Sequence, residues 1–203
     1  MGLESFLPSG NEKLDSLLRF SAEIDKMTSV IRRTVHVDGS GRENDAEHSW
    51  HIALMSLLFY DFALEKVDVS HAAKLCLTHD LVEIYAGDTF AYDKSGNETK
   101  KEREKNAADR LFSLLPNELG FSLRSLWEEF EEGKTAEAKY ALCLDRLQPL
   151  LHNSLTGGRT WKENKTLRAD VESHTKIIHD FMPEAYKWIE QNLDRAQQNG
   201  WLT

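Results

Sequence analysis

Apolar residues recur at intervals of three and four positions along most of this chain, which is the spacing of one buried face of an α-helix. Residues 46–63 are apolar on nearly all sides, so we expect a central helix there with Asp45 as its N-cap. No alternation of β-branched residues is long enough to predict a sheet. The apolar spacing, the helix-capping residues, and the Gly and Pro residues at the breaks together predict eight helices. They cover residues 11–27, 46–63, 69–86, 96–115, 122–132, 135–151, 165–180 and 183–198.

These helices predict an all-α protein with a single domain. Residues 1–10 read as a flexible N-terminal tail, and residues 11–203 as the helical domain. A chain of 203 residues fits one domain and can bury a full core without disulfides. Residues 31–37 read as extended or irregular, and residues 155–164 read as a loop around two adjacent glycines.

The net charge of the chain narrows the classes of molecule that it is expected to bind. The 25 Lys and Arg residues against 34 Asp and Glu residues give a formal net charge of −9, and an acidic chain repels nucleic acid phosphates at long range. This net charge does not exclude a small phosphorylated ligand, because one arginine or a metal ion can make the electrostatic potential positive locally. The start of the chain lacks a signal-peptide pattern, and the longest apolar run, 52–62, is too short to span a bilayer. We therefore expect a cytoplasmic protein that binds neither nucleic acid nor a membrane.

A histidine and an aspartate lie side by side in an otherwise apolar run, at His79 and Asp80. His79 shares the buried-face spacing of the apolar residues before it, and Glu83 follows one helical turn later. Burying an unpaired carboxylate costs several kcal/mol unless a cation or hydrogen bonds compensate its charge. A divalent metal would bind both His79 and Asp80. A core histidine beside a helix-capping aspartate is the alternative interpretation.

Two further helices each place a metal-binding type of side chain on a predicted buried face. His48 heads an apolar stripe of the helix over 46–63, and Asp145 lies on an apolar stripe of the helix over 135–151. With the His-Asp pair they supply two imidazoles and two carboxylates. That mixed nitrogen and oxygen set suits one Mn, Fe, Co, Ni or Zn ion better than calcium. Such a site leaves coordination positions open for water and substrate.

The order His48, His79-Asp80, Asp145 resembles the H…HD…D signature of the HD-domain metal-dependent phosphohydrolases. The flanking residues narrow the resemblance. The segments ENDAEHS at 43–49, HDLVE at 79–83 and GD at 87–88 are similar to those of the 5′-deoxynucleotidase branch. The likeness runs from about residue 32 to residue 145, and more weakly to the C-terminus.

The resemblance implies a single-domain helical HD fold and one divalent transition metal ion. The residues that match the family's metal ligands are His48, His79, Asp80 and Asp145. Glu83 matches the family's catalytic carboxylate, which orients the attacking water or passes a proton to the leaving oxygen.

The resemblance also implies two substrate contacts. Asp88 matches an aspartate that takes part in catalysis and substrate handling. Arg33 matches the arginine that approaches the substrate phosphate, for which the guanidinium fork is well suited, and the adjacent Arg32 is the alternative. Family members usually carry a tryptophan just after that arginine, whereas this chain has Thr34.

These features predict a metal-dependent phosphomonoesterase that hydrolyses (deoxy)nucleoside 5′-monophosphates to nucleoside and phosphate. The alternatives are an HD hydrolase of a nucleotide pyrophosphate or cyclic phosphodiester, and a non-catalytic nucleotide-binding module. The family resemblance also suggests a homodimer. A candidate surface is the apolar stripe of the last helix, Ala185, Trp188, Ile189 and Leu193, which could instead pack on the core of its own chain.

Overall fold

The computed structural model of the chain describes residues 2–203, apart from the side chain of Lys94. This part of the chain contains ten α-helices and a two-stranded antiparallel ribbon, so the predicted all-α class is confirmed. The helices are α1 (Glu12–Ile24), α2 (Asp45–Ser56), α3 (Val69–Thr78), α4 (Glu83–Ala86), α5 (Lys94–Phe112), α6 (Asn117–Glu132), α7 (Ala136–Leu155), α8 (Arg159–Asn164), α9 (Arg168–Phe181) and α10 (Pro183–Gln198). The strands are β1 (Ile31–Val35) and β2 (Arg42–Asn44).

Helix α7 lies at the centre of the fold, in contact with α2, α3, α6 and α9. Its residues Tyr140, Ala141 and Leu144 are fully buried in the larger of two hydrophobic clusters. The smaller cluster, around Leu111, joins α1, α5 and α6 to the turn that precedes α4. Elements of both clusters carry the site residues described below, so packing on two sides fixes their positions.

Helix α2 begins with a capping box, but the cap is not the predicted Asp45. The side chain of Asn44 accepts a hydrogen bond from the Glu47 N–H at 3.0 Å, and the Glu47 carboxylate accepts one from the Asn44 N–H at 2.9 Å. Asp45 is instead the first helical residue and is fully buried. The helix also ends at Ser56, short of the predicted residue 63, and a 3₁₀ turn follows at Tyr60–Phe62.

The helix predicted over 69–86 is broken in the middle. Asp68 caps it as predicted, but α3 stops at Thr78, whose hydroxyl donates to the Lys74 carbonyl at 2.9 Å. Four residues in turns follow, α4 then covers Glu83–Ala86, and Gly87, with a φ of 76°, ends it. The break places His79 and Asp80 in a turn rather than on a continuous helix.

Two elements lie where no regular structure was predicted. Strand β1 occupies the segment read as extended or irregular, and it pairs with β2 over too few residues to give an alternating pattern. Helix α8 lies within the predicted loop 155–164. Both elements border the cleft described below.

Residues near both ends of the described chain contact the rest of the fold. Residues Leu3–Phe6 form one 3₁₀ turn, and the Ser9 N–H donates to the Asp15 carboxylate at 2.9 Å. Helix α10 has its predicted bounds, and its Ile189 and Leu193 are buried in the larger cluster. The apolar stripe of this helix therefore serves the core of its own chain. Within residues 2–203, every helix is too short or too polar to cross a membrane.

Two adjacent glycines make a matched pair for testing the start of α8. Gly157 and Gly158 both have positive φ, 64° and 65°, so alanine at either costs about 1–2 kcal/mol of backbone strain. A Cβ on Gly158 would also clash with Trp201, whereas one on Gly157 would meet its ring at an ordinary 3.7 Å. We expect Gly158→Ala to lower the free energy of unfolding by about 1–3 kcal/mol more than Gly157→Ala, measured by urea denaturation. Equal losses would show that Trp201 does not press on this turn.

Candidate metal centre and active site

The four predicted metal ligands converge on one point, from α2, the turn after α3, and α7. The Nε2 atom of His48 lies 3.0 Å from Oδ1 of Asp145. The Nε2 atom of His79 lies 3.7 Å from the same oxygen and 3.1 Å from Oδ1 of Asp80. His48, His79 and Asp145 thus each offer one ligand atom within 4.8 Å of the others, and Asp80 adjoins this group through Nε2 of His79.

Hydrogen bonds behind the two rings fix which nitrogen faces the site. Nδ1 of His79 lies 2.9 Å from the Cys76 carbonyl, which can only accept, so this nitrogen carries the hydrogen. Nδ1 of His48 lies 3.2 Å from Oε1 of Gln148, whose amide nitrogen donates to Glu43 at 2.7 Å. Both Nε2 atoms therefore face the carboxylates, where each can carry a proton or bind a metal through its lone pair, the orientation that metal-binding histidines adopt.

This donor set fits a divalent transition metal. The buried Nε2 atom of His79 has no hydrogen-bond partner, and lone pairs of nitrogen and oxygen at these distances repel unless a proton or a metal ion lies between them. Burial alone would lower the pKa of His79, but the carboxylates of Asp80 and Asp145 raise it to about 10. Burial alone would raise the pKa of Asp145, yet the adjacent imidazoles of His48 and His79 hold it well below its usual range. The site therefore attracts positive charge.

A second group of carboxylates lies beside the first and already has its cation. Asp45, Asp80 and Glu83 each offer an oxygen to a common point. The Arg32 guanidinium lies there, with Nη1 at 3.2 Å from Asp45 and 2.7 Å from Asp80. Glu43 approaches Nε of Arg32 at 3.4 Å. We therefore assign the metal to the histidine side, with Asp80 shared between the metal and Arg32.

Glu83 and Asp88 line the cleft that opens above the metal ligands. Glu83 is buried, and its Oε2 has no hydrogen-bond partner. Burial and the negative charges of Asp80, Asp45 and Asp88 raise the pKa of Glu83 well above its usual range, which favours the protonated carboxyl. Burial also raises the pKa of Asp88. Glu83 is thus suited to give a proton within the cleft.

The two adjacent arginines of β1 point to different parts of the cleft. Arg32 faces inward to the carboxylates, whereas Arg33 donates to Oδ1 of Asn164 at 2.6 Å and lies over the Phe90 ring at 5.2 Å. Both line the cleft, but only Arg32 makes ion pairs with the metal-site carboxylates. Arg33 therefore shares the cleft with the other predicted residues but lies on its outer wall beside α8, away from the metal-site carboxylates.

The cleft has a volume of about 310 Å³, and its lining includes residues that sequence reasoning missed. Lys100 of α5 and Arg146 of α7 add two cations, although each has a partner: Lys100 lies 3.3 Å from Glu104, and Arg146 donates to the His174 carbonyl at 2.7 Å. Gln148, which orients His48, was also missed. Its signal was its position three residues after Asp145, on the same face of α7. The aromatic part of the lining is Phe90, Tyr92, Phe130 and Trp161.

Comparisons with known proteins agree with this geometry. Residues 24–186 match the HD domain family. The 5′-deoxynucleotidase HDDC2 of Homo sapiens is 32% identical over 140 residues, which cover 68% of this chain and 67% of that protein. The Xenopus laevis 5′-deoxynucleotidase HDDC2 is 33% identical over 137 residues, 67% of each chain. The chain belongs to the HD-domain family of metal-dependent phosphohydrolases, as its motifs predicted.

Solved structures support the same placement. A crystal structure described as a predicted metal-dependent phosphohydrolase from Magnetospirillum magnetotacticum MS-1 superposes with a TM-score of 0.90 at 43% identity, covering 97% of this chain and 98% of that one. The PH0347 protein of Pyrococcus horikoshii OT3, at 18% identity and a TM-score of 0.57 over 90% of this chain and 99% of that one, shares the fold. The family implies a divalent metal, which the histidine and carboxylate set fits.

The assignment of Asp80 as a metal ligand predicts a specific loss. Asp80→Ala removes one of four donors, so we expect bound transition metal, measured by elemental analysis of the purified protein, to fall far below one ion per chain. Asp88→Ala is the control, because Asp88 lies in the same cleft but outside the ligand set. Asp80→Ala protein that keeps the wild-type metal content would show that Asp80 is not a ligand.

Proposed function

We propose that this protein hydrolyses nucleoside 5′-monophosphates, including deoxynucleotides, to a nucleoside and inorganic phosphate. The observation that carries the proposal is the convergence of His48, His79, Asp80 and Asp145 at the base of a cleft that also holds Glu83. The cleft volume of about 310 Å³ lies within the range of small-ligand sites. The name of the curated relatives, 5′-deoxynucleotidase, supports this substrate class.

A divalent ion held by the four ligands would act as a Lewis acid on a phosphate oxygen. It would also lower the pKa of a bound water toward neutral. The protein's own part is acid catalysis and positioning. Water adds to phosphorus as the bond from phosphorus to the 5′-oxygen breaks. Glu83 gives its proton to that oxygen, and the attacking water's proton returns to Glu83. Asp88, on the cleft wall, is proposed to hold the substrate in place.

Positive charge in the cleft would hold the phosphate. Arg32 is fixed beside the metal ligands by its ion pairs with Asp45 and Asp80, so its guanidinium is preorganised for a phosphate oxygen. Arg33, which we retain as a substrate contact, would reach the substrate from the outer wall. In this arrangement Arg32 supports the transition state and Arg33 supports binding.

The cations Lys100 and Arg146 favour a second candidate function. A nucleotide with more than one phosphate needs additional positive charge along the cleft, and these two side chains line it. Both are engaged with protein groups, so they would have to exchange partners to bind phosphate. For that reason we rank the monophosphate first.

A phosphate-release assay separates these functions. Metal-stripped protein would be incubated with a panel of ribo- and deoxynucleoside monophosphates, diphosphates and cyclic phosphates, with each of Mn, Fe, Co, Ni and Zn added back. The nucleoside and nucleotide products would be separated and measured as well, because opening a cyclic phosphate releases no inorganic phosphate. We expect metal-dependent release of phosphate from 5′-monophosphates. Metal-dependent turnover of diphosphates alone would establish the second candidate. Nucleotide binding without turnover under any metal would mean a non-catalytic module.

Glu83 is expected to affect turnover rather than binding. Glu83→Ala removes the proposed proton donor but no metal ligand, so kcat should fall by about 10²–10⁴-fold with metal content and KM little changed. Steady-state kinetics with metal analysis of the same preparation test this expectation. If Glu83→Ala turned over at the wild-type rate with metal bound, another residue would have to act as the acid. Asp88 would be examined first.

The two arginines are expected to give different kinetic signatures. Arg33→Ala should raise KM at least as much as it lowers kcat, because a contact present in both ground and transition states is lost. Arg32→Ala should mainly lower kcat, and it should also destabilise the fold, because it leaves buried carboxylates unpaired. Arg42→Ala is the control, since Arg42 lies on β2 and pairs with Glu163 at 2.6 Å outside the main cleft. An unchanged KM in Arg33→Ala would show that Arg33 does not contact the substrate.

A further inference from the structure

Arg146 is a cation in the cleft to which the proposed mechanism gives no role. It follows the metal ligand Asp145 on α7 and lines the cleft together with His174 of α9. Nη1 of Arg146 donates to the His174 carbonyl at 2.7 Å, whereas its buried Nε has no hydrogen-bond partner. Within residues 2–203, no carboxylate forms an ion pair with Arg146, unlike Arg32 in the same cleft. Arg146 therefore keeps donors that the rest of the protein does not use, and a buried donor without an acceptor is unfavourable.

The His174 imidazole next to Arg146 is neutral. Burial and the positive charge of Arg146 lower the pKa of His174 to about 4. Its ring packs edge-on against Tyr92 with 5.6 Å between centroids, and no hydrogen bond involves either ring nitrogen in the part of the chain that the structure describes. A neutral imidazole accepts a hydrogen bond at one nitrogen and donates at the other, whereas a guanidinium only donates. The pair therefore offers a ligand one obligatory donor beside one available acceptor.

An aromatic wall of the cleft leads to this pair. Phe90 packs edge-on against Tyr92, with 5.2 Å between ring centroids, and Tyr92 packs in the same way against His174. Trp161 lines the cleft as well. Aromatic faces stack on any nucleobase, whereas hydrogen-bonding groups at the edge of a base distinguish one base from another. With the phosphate at the metal ligands, this wall and the two polar groups are suited to bind the base of the nucleotide.

We propose that Arg146 and His174 bind the hydrogen-bonding edge of the nucleobase and select bases with an oxo group there, which are guanine, hypoxanthine, thymine and uracil. At C6 of these purines or C4 of these pyrimidines, the oxo group accepts from Arg146, and the adjacent ring N–H donates to the neutral His174 imidazole. Adenine and cytosine present an amino donor at that position, and Arg146 has no acceptor to offer it. This inference rests on the proposed function, because it names the bases within that nucleotide class.

A second phosphate is the less suitable occupant. A base oxygen needs only one donor, so Arg146 can bind it and keep its hydrogen bond to the His174 carbonyl. A phosphate held by both Nη atoms would displace that carbonyl. The neutral His174 imidazole also lacks the second positive charge that would favour another phosphate at this place.

Two pairs of substrates isolate this edge of the base. The 5′-monophosphates of deoxyinosine and deoxyadenosine differ by an oxo or amino group at C6, and those of deoxyuridine and deoxycytidine differ likewise at C4. With metal-loaded protein, we expect kcat/KM to favour the oxo member of each pair by at least about fivefold, as expected from one base-specific contact.

Variants assign the preference to the two residues. Arg146→Met keeps an unbranched side chain without donors and should bring both ratios close to one. His174→Phe keeps a ring without an acceptor and should lower both ratios as well. Arg124→Met is the control, because Arg124 on α6 pairs with Asp109 and Glu128 outside the cleft and should leave both ratios unchanged. Far-UV circular dichroism and metal content show whether each variant is folded, and a loss of stability alone would lower all four rates together without changing the ratios.

Equal kcat/KM within both pairs overturns the inference while the proposed function stands. So does a preference that survives Arg146→Met or His174→Phe. A preference for nucleoside diphosphates that Arg146→Met abolishes would assign Arg146 to a second phosphate, and it also overturns the inference. If no monophosphate is hydrolysed, the proposed function fails, and calorimetric binding of deoxyinosine and deoxyadenosine decides. Tighter binding of deoxyinosine that is lost in Arg146→Met would support base selection, whereas equal or absent binding would overturn it.

Discussion

The structure depends on one electrostatic constraint: the Nε2 atoms of two buried imidazoles are directed at carboxylate oxygens. His48 and His79 both present Nε2 to Asp145, because their Nδ1 atoms are committed to Gln148 and to the Cys76 carbonyl. Such an arrangement is unfavourable in a low-dielectric interior unless positive charge occupies the centre. The hydrogen bonds around these groups hold them in this orientation, which is how a protein preorganises a metal site.

The same constraint explains the irregular features of the fold. A continuous helix through residues 69–86 would place His79 and Asp80 about 100° apart around the helix axis, on different faces. Ending α3 at Thr78 lets both side chains reach the same point, and α4 then brings Glu83 to the wall of the cleft. Arg32 neutralises the carboxylates that the metal does not take. The acidic chain thus concentrates carboxylates in one place and balances them with an arginine and a metal ion.

Much of the site was predictable from the sequence, for a physical reason. Metal ligands in a helical protein interrupt apolar stripes, and the interruptions at His48, His79 and Asp145 are visible without a structure. Which of Arg32 and Arg33 faces the metal-site carboxylates was not predictable. It depends on the alternation of side chains along a five-residue strand, which pairs with a separate segment. Gln148, Lys100 and Arg146 were missed because their roles arise only when separate helices pack. Helix α8 was missed because two adjacent glycines read as a loop, whereas here they turn the chain into a helix.

Anomalous diffraction from crystals grown with Mn²⁺ tests the central claim most directly, using data collected on both sides of the metal's absorption edge. The account predicts one strong peak within about 2.0–2.3 Å of Nε2 of His48, Nε2 of His79, and one carboxylate oxygen each from Asp80 and Asp145. A peak found only among Asp45, Asp80 and Glu83, with Arg32 displaced, would contradict it. So would crystals at saturating metal that show no peak between the two histidines.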